Sequence, residues 1–187
     1  MAVGMSPTFT NPQPTTPVLQ IFVSHSSLDS IIKQIVSQVQ TPEIYPYFAE
    51  NQPAEPVPLH EKLIGAISNS KSAFIFITKN VMENKDTRDI ILWELGIIHS
   101  YQIPAYVFTE EGVEVPKPAR FRSVSYTFRL SDIPALISIS GQLKEIATKI
   151  STEIQERETQ KRNEAVFWKI AGLLALGLGA YALTRNE

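Results

Sequence analysis

The sequence holds no cysteine. Disulfides, thiolate metal ligands and thiol nucleophiles are excluded together, and a reducing compartment suits the chain. Histidine is scarce: His25, His60 and His99 stand far apart, so no zinc-ligand spacing arises and no metal site is expected. Charge of one sign is not in excess either. With 17 Lys and Arg against 19 Asp and Glu, the formal net charge is -2. The basic field that holds nucleic acid is missing, and no nucleic-acid partner is expected. There is no glycine-rich phosphate loop, no GxGxxG dinucleotide turn, no GxSxG nucleophile elbow and no paired-carboxylate hydrolase motif.

What is there is a chain of 187 residues with 43% hydrophobic side chains, enough for the core of one ordinary domain with appendages. Residues 1–17 place Pro7, Pro12, Pro14 and Pro17 among Thr, Asn and Gln. They read as a flexible leader, without the basic start and apolar run of a signal peptide. Strand-length apolar runs follow at 18–24, 43–48, 72–78 and 104–109, with a weaker fifth at 124–128. Pro46 makes the second of these irregular or places it near an edge. The run at 72–78 is continuous, as in a strand buried on both faces.

Between the strands lie helical periodicities. Ile31, Ile32, Ile35, Val36 and Val39 mark the first, capped by Ser26 or Ser27. Leu63, Ile64 and Ile67 mark a second, starting near Leu59, and a third spans about 87–101. This alternation predicts an α/β fold with a central parallel sheet and helices on both faces. Its ligand loops would be those at the strand carboxyl ends: 24–29, 49–58 and 79–88. Segment 49–58 holds Pro53, Pro56 and Pro58, so it is neither helix nor central strand.

Past Asp132 the character changes. In 141–164, Leu143, Ile146, Ile150 and Ile154 form a narrow stripe among balanced charges, which predicts a helix packed along one face or a short coiled coil. Residues 165–183 carry one charge, Lys169, in 19 positions, close to the roughly 20 of a bilayer span. Lys161, Arg162 and Arg185 flank them, and Trp168 and Tyr181 lie near the ends. A single-pass C-terminal membrane anchor is expected, with the folded domain in the cytoplasm. The uninterrupted run 170–183 also has the length of a buried or re-entrant segment. Ala171, Ala175 and Gly179 recur every fourth position, a spacing that permits close helix pairing in lipid.

The chemistry centres on helix 87–101. Ile90, Ile91, Leu92, Trp93, Leu95, Ile97 and Ile98 make it apolar all round, so burial is expected, and Glu94 is the lone charge among them. At i±4 it aligns with Ile90 and Ile98. An unpaired buried carboxylate costs several kcal/mol, so Glu94 is either a structural group held by partners or a working group in a cleft. Loop 24–29 (SHSSLD) sets hydroxyls at a strand exit, where phosphate or ribose binds. Singly, its serines are as much helix caps as ligand contacts.

These residues, in this order, resemble the Toll/interleukin-1 receptor (TIR) domain family, in particular its bacterial and archaeal members. Residues 21–29 (IFVSHSSLD) are similar to the family's opening box. Residues 53–58 followed by LHEKLI resemble its BB loop and next helix. Residues 74–80 (FIFITKN) resemble the third strand, 93–96 (WELG) the conserved-glutamate helix, and 104–115, ending EEGVEV, the fourth strand and its exit.

The resemblance covers about residues 18–140, leaving 1–17 as leader, 141–164 as a charged helix or linker and 165–183 as the transmembrane helix. It implies a flavodoxin-like fold and, in catalytic members, cleavage of NAD at the nicotinamide–ribose bond, with NAD as substrate and no cofactor. The family's catalytic glutamate falls on Glu94. Ser24, His25, Ser26 and Asp29 lie beside the substrate, Phe48 supplies an aromatic, and Trp93 precedes the glutamate. Ile90 stands where some members carry the stacking Trp, and Ser26 and Ser27 where others carry Arg. Pro53, Pro56 and Pro58 belong to an assembly loop.

The resemblance also implies self-association through TIR domains, or docking onto another TIR protein, in prokaryotic antiviral defence or cell-death signalling. Two other readings stand beside the hydrolase or cyclase: a non-catalytic, membrane-anchored TIR adaptor, and a nucleotide-binding regulator of the same fold.

Overall fold

The structure, a computed structural model, describes residues 19–49, 58–120, 123–130 and 132–184, with the backbone alone at 120, 123 and 165–184. The leader 1–17 and the loop prolines Pro53 and Pro56 therefore lie outside the described residues. Five strands alternate with helices: β1 (Leu19–Ser24), α1 (Ser30–Ser37), β2 (Ile44–Phe48), α2 (Leu59–Asn69), β3 (Ser72–Ile77), α3 (Lys79–Glu83), α4 (Lys85–Ser100), β4 (Ala105–Glu110), α5 (Lys117–Arg120), β5 (Ser123–Phe128) and α6 (Ile133–Thr184). All strand pairs are parallel, in the order β2-β1-β3-β4-β5. The fold is α/β with a parallel sheet, as the alternation of periods predicts, and flavodoxin-like, as the resemblance implies.

Strand order dictates the helix layers. The chain steps one way from β1 to β2 and the other way from β2 to β3, so right-handed crossovers put α1 and α2 on opposite faces. α4 and α5 step in the same direction as α2 and join its layer. On that face Phe22, Ala73, Ile75, Ile77, Ala105 and Val107 pack with Leu63 and Ile67 of α2, and with Ile91, Leu95 and Ile98 of α4. The alternate residues form an aromatic layer on the other face. There the Phe108 ring lies 4.9 Å from Phe76, 5.1 Å from Tyr126 and 5.7 Å from Phe74. Every residue of β3 is buried, as its continuous apolar run requires. β2, with Pro46, is an edge strand, where a missing N–H breaks no ladder bond.

Three sequence expectations change. α1 begins at Ser30 with Asp29 at its N-cap, so neither Ser26 nor Ser27 caps it. Ser26 instead closes the preceding turn, its carbonyl accepting from Asp29 N at 2.9 Å and its Oγ from Leu28 N at 3.3 Å. α4 is not buried all round: Ile90 is 44% and Trp93 40% exposed, while Ile91, Glu94, Leu95 and Ile98 are buried. A helix over a sheet hides one stripe only, so apolar residues on its outer side stay in water. The last helix starts at Ile133, eight residues ahead of the expected segment, with Pro134 in its first turn, where a missing N–H is tolerated.

Residue contacts divide the chain into two units, 1–144 and 145–187. In the first, Ile139 and Leu143 are buried and Ser140 Oγ donates to Gln38 Oε1 at 3.1 Å. The opening turns of α6 thus belong to the sheet domain, beyond the expected boundary at 140. In the second, Ile146 and Ile150 of the predicted stripe are buried, Ile154 is half-buried, and 155–164 are exposed. Among the described residues no helix is long and apolar enough to cross a membrane. The side chains of the expected anchor, 165–183, lie outside those described.

Candidate functional site

Between β1 and β3 the strand order reverses, and in open parallel sheets ligands bind at the carboxyl ends of the strands beside such a switch. Ser24 is the last residue of β1. Side chains alternate along a strand, so Ser24 shares a face with Gln20 and Phe22, and Gln20 Nε2 donates to Ala66 O of α2 on that face at 3.0 Å. Ser24 therefore points into the α2–α4 layer. There its Oγ donates to Glu94 Oε2 at 2.5 Å, across seventy positions of sequence. Both residues are buried, Ser24 at 4% and Glu94 at 5% exposure.

Burial dominates the acidity of Glu94. It pushes the pKa up from the ordinary carboxylate value to about 7, against the opposing pull of the Ser24 hydrogen bond. A carboxylate so tuned is substantially ionised at neutral pH. It carries the density to hold a developing cation, and the proton affinity to exchange a proton with a bound ligand.

The loop after Ser24 is tied down. Asp29 is 3% exposed and accepts from two side chains at the exit of β3: Thr78 Oγ1 at 2.6 Å and Asn80 Nδ2 at 2.5 Å. Thr78 in turn caps α3, its Oγ1 accepting from Val81 N at 3.2 Å. Thr78 and Asn80 carry no sequence signal of their own. The cues that cover them are their place in the FIFITKN box at 74–80 and at the strand exit opening the expected ligand loop 79–88.

The remaining candidates fall elsewhere. Phe48, 4% exposed at the end of β2, has the His25 ring edge-on at 5.6 Å and the Lys33 ammonium 5.9 Å from its centroid. Lys33 is on α1, so Phe48 faces the layer opposite α4. Its neighbour Tyr47 stacks on Phe22 in the α4 layer. His25 Nδ1 lies 2.7 Å from Ser26 O. Trp93, next to Glu94, points outward on the exposed side of α4. Pro58 is exposed at the start of α2. The structure thus joins Ser24 to Glu94, Asp29 to the exit of β3, and His25 to Phe48, as three small clusters around the ends of β1, β2 and β3.

A cavity of about 270 Å³ on the α2 side is lined by Gln20, Tyr47, Glu61, Lys62, Gly65, Ala66 and Asn69, and Glu94 does not line it. Among the described residues, no group of His, Asp or Glu is placed to hold a metal ion. No family model and no curated protein matches the chain.

Proposed function

We propose that this chain is a TIR-type NAD hydrolase or cyclase that breaks the nicotinamide–ribose bond. The observation that carries the reading is the buried Glu94 carboxylate, bonded to Ser24 at the carboxyl end of β1 beside the strand-order switch. Nicotinamide in NAD is already cationic, so it leaves without a general acid. The transition state puts positive charge on the ribose ring. A carboxylate near the ribose hydroxyls, in water-poor surroundings, stabilises that charge as in glycoside cleavage. Water then yields ADP-ribose, and an internal nucleophile yields a cyclic product.

In this reading Glu94 acts on the ribose, Ser24 orients it, and His25 and Phe48 line the neighbouring strand exits. The decisive experiment incubates the full-length protein with NAD and looks for free nicotinamide, with wild type beside Glu94→Gln. Release by wild type alone supports the assignment; equal release by a folded Glu94→Gln overturns it.

The second reading is a TIR adaptor that binds without turnover. Ile90 and Trp93 favour it, lying 44% and 40% exposed on α4, with Tyr101 52% exposed at the C-cap of that helix, as docking residues would. No nicotinamide from wild type at any protein concentration, with self-association intact, would select it. Either role gains from concentrating protomers, and residues 165–183 are proposed to do so as a membrane tail. Full-length protein is expected to stay with membranes through a carbonate wash, while a 1–164 truncation is released. Full-length protein in the wash supernatant would remove the anchor from the reading.

A further inference from the structure

Ser24 and Glu94 lie seventy positions apart, and a second buried side chain, Asp29, connects the segments that carry them. Asp29 follows Ser24 by five residues, in a turn closed by Ser26 and Asp29 backbone groups. Its Oδ2 holds Thr78 and its Oδ1 holds Asn80. Those two residues begin the stretch that carries Glu94. Thr78 caps α3, Asn84 ends α3 and caps α4 through Oδ1 accepting from Thr87 N at 3.0 Å, and α3 packs on α4.

We infer that Asp29 is a positioning residue, a latch that fixes α4 against the end of β1 and thereby holds the Ser24 hydroxyl on Glu94. This goes beyond the proposed reaction but rests on it where turnover is concerned. Asp29 is not a ligand contact in this account: both its oxygens are engaged by protein donors. An amide at position 29 carries no charge and keeps one acceptor oxygen; facing Thr78 its NH2 forces the hydroxyl from donor to acceptor, so two charge-assisted bonds become weaker neutral ones and the latch would loosen. The Ser24–Glu94 bond would weaken, and burial would act on Glu94 with less opposition.

Other charges do not obscure this. On the helices packed against α4, the titratable groups with described side chains are His60, Glu61 and Lys62 on α2, Lys79 and Glu83 on α3, and Lys117 on α5. All are exposed except the half-buried Lys62. Burial and the Ser24 hydrogen bond are the causes that shift Glu94.

The test follows the Glu94 carboxyl by NMR in full-length protein labelled at glutamate Cδ, from pH 5 to 9. Asp29→Asn is expected to raise the Glu94 midpoint by about 0.5 to 1 pH unit, the loss of one hydrogen bond to the charged form. Ser24→Ala is expected to raise it equally, and the double variant no further. Thr78→Ser should keep the wild-type midpoint. An unchanged midpoint in folded Asp29→Asn overturns the latch. So does a fall, which would make Asp29 a repelling charge neighbour only. If Asp29→Asn does not fold, Asn80→Ala decides, because it removes one donor, keeps the carboxylate and leaves the Thr78 cap of α3 in place: a raised midpoint supports the latch and an unchanged one overturns it.

NAD turnover forms a separate arm. Asp29→Asn is expected to lower kcat about tenfold at pH 6.5 with KM within about twofold, the pattern of a lost transition-state interaction. A raised KM with an unmoved Glu94 midpoint would make Asp29 a substrate contact and overturn the proposal. A moved midpoint with no turnover even in wild type would sink the hydrolase reading and leave the latch standing.

Discussion

Glu94→Gln is expected to abolish NAD cleavage, by about 10²- to 10³-fold or more, while leaving the fold intact. Gln keeps the size of the side chain and an oxygen that can accept from Ser24, so packing and the hydrogen bond are largely preserved. It loses the negative charge. A loss of rate therefore reports electrostatics, read as nicotinamide release by the two full-length proteins under identical conditions.

The same substitution carries a stability signature of opposite sign. The folded-state pKa of Glu94 stands at about 7, above its ordinary value of 4.5. Between those values the folded protein binds more protons than the unfolded chain, so stability declines as pH rises from about 4.5 to about 7. Above that range the ionised, buried carboxylate costs up to about 3 kcal/mol, taking 1.36 kcal/mol per pH unit as an upper guide. Gln cannot ionise. Glu94→Gln is accordingly expected to be more stable than wild type at pH 8 and to lose that advantage towards pH 5. Thermal melts at the two pH values check this. A mutant that is inactive but less stable at pH 8 would make Glu94 a structural carboxylate.

Phe108→Ala is expected to cost about 3–5 kcal/mol, the range for truncating a buried aromatic. Phe108 is fully buried, with its ring against Phe74, Phe76 and Tyr126. Removing it opens a void that stiff sheet neighbours cannot fill by relaxing. Alternation along β4 puts Phe108 on the face opposite Val107, hence opposite α4 and Glu94. The folded fraction should therefore keep its pH profile of turnover while urea unfolding shifts to much lower denaturant. A loss under 1 kcal/mol would deny the aromatic layer its place as the second core. A changed pH profile would show that the two faces are coupled.

Much of the fold was legible because strand and helix signals here are strong and local. The run at 72–78 reads as a doubly buried strand without any partner in view, since a continuous apolar segment of that length has few other uses. Pro46 marks an edge because its missing N–H would break a central ladder. α4 departs from the all-round burial its sequence suggests for an equally physical reason. Hydrophobicity along a helix tells which residues tolerate burial, not which are covered, and Ile90 and Trp93 are left outside by the single face that the sheet can hide.

Glu94 could be singled out from sequence alone, because a lone carboxylate in an apolar run demands an explanation wherever it sits. What answers the demand is non-local. Ser24, Thr78 and Asn80 are ordinary polar residues whose partners lie 49 to 70 positions away, and no local pattern encodes such pairings. The same holds for Asp29, which the sequence offers as a ligand contact and the structure engages with protein donors. The sequence by itself determined the alternation of elements, the parallel sheet and the one carboxylate out of place. Only the tertiary structure decided that this carboxylate meets Ser24, that burial brings its pKa near neutrality, and that Asp29 ties the two segments together. Periodicity is written residue by residue along the chain, whereas a hydrogen bond across the sheet exists only once strand order has brought its ends together.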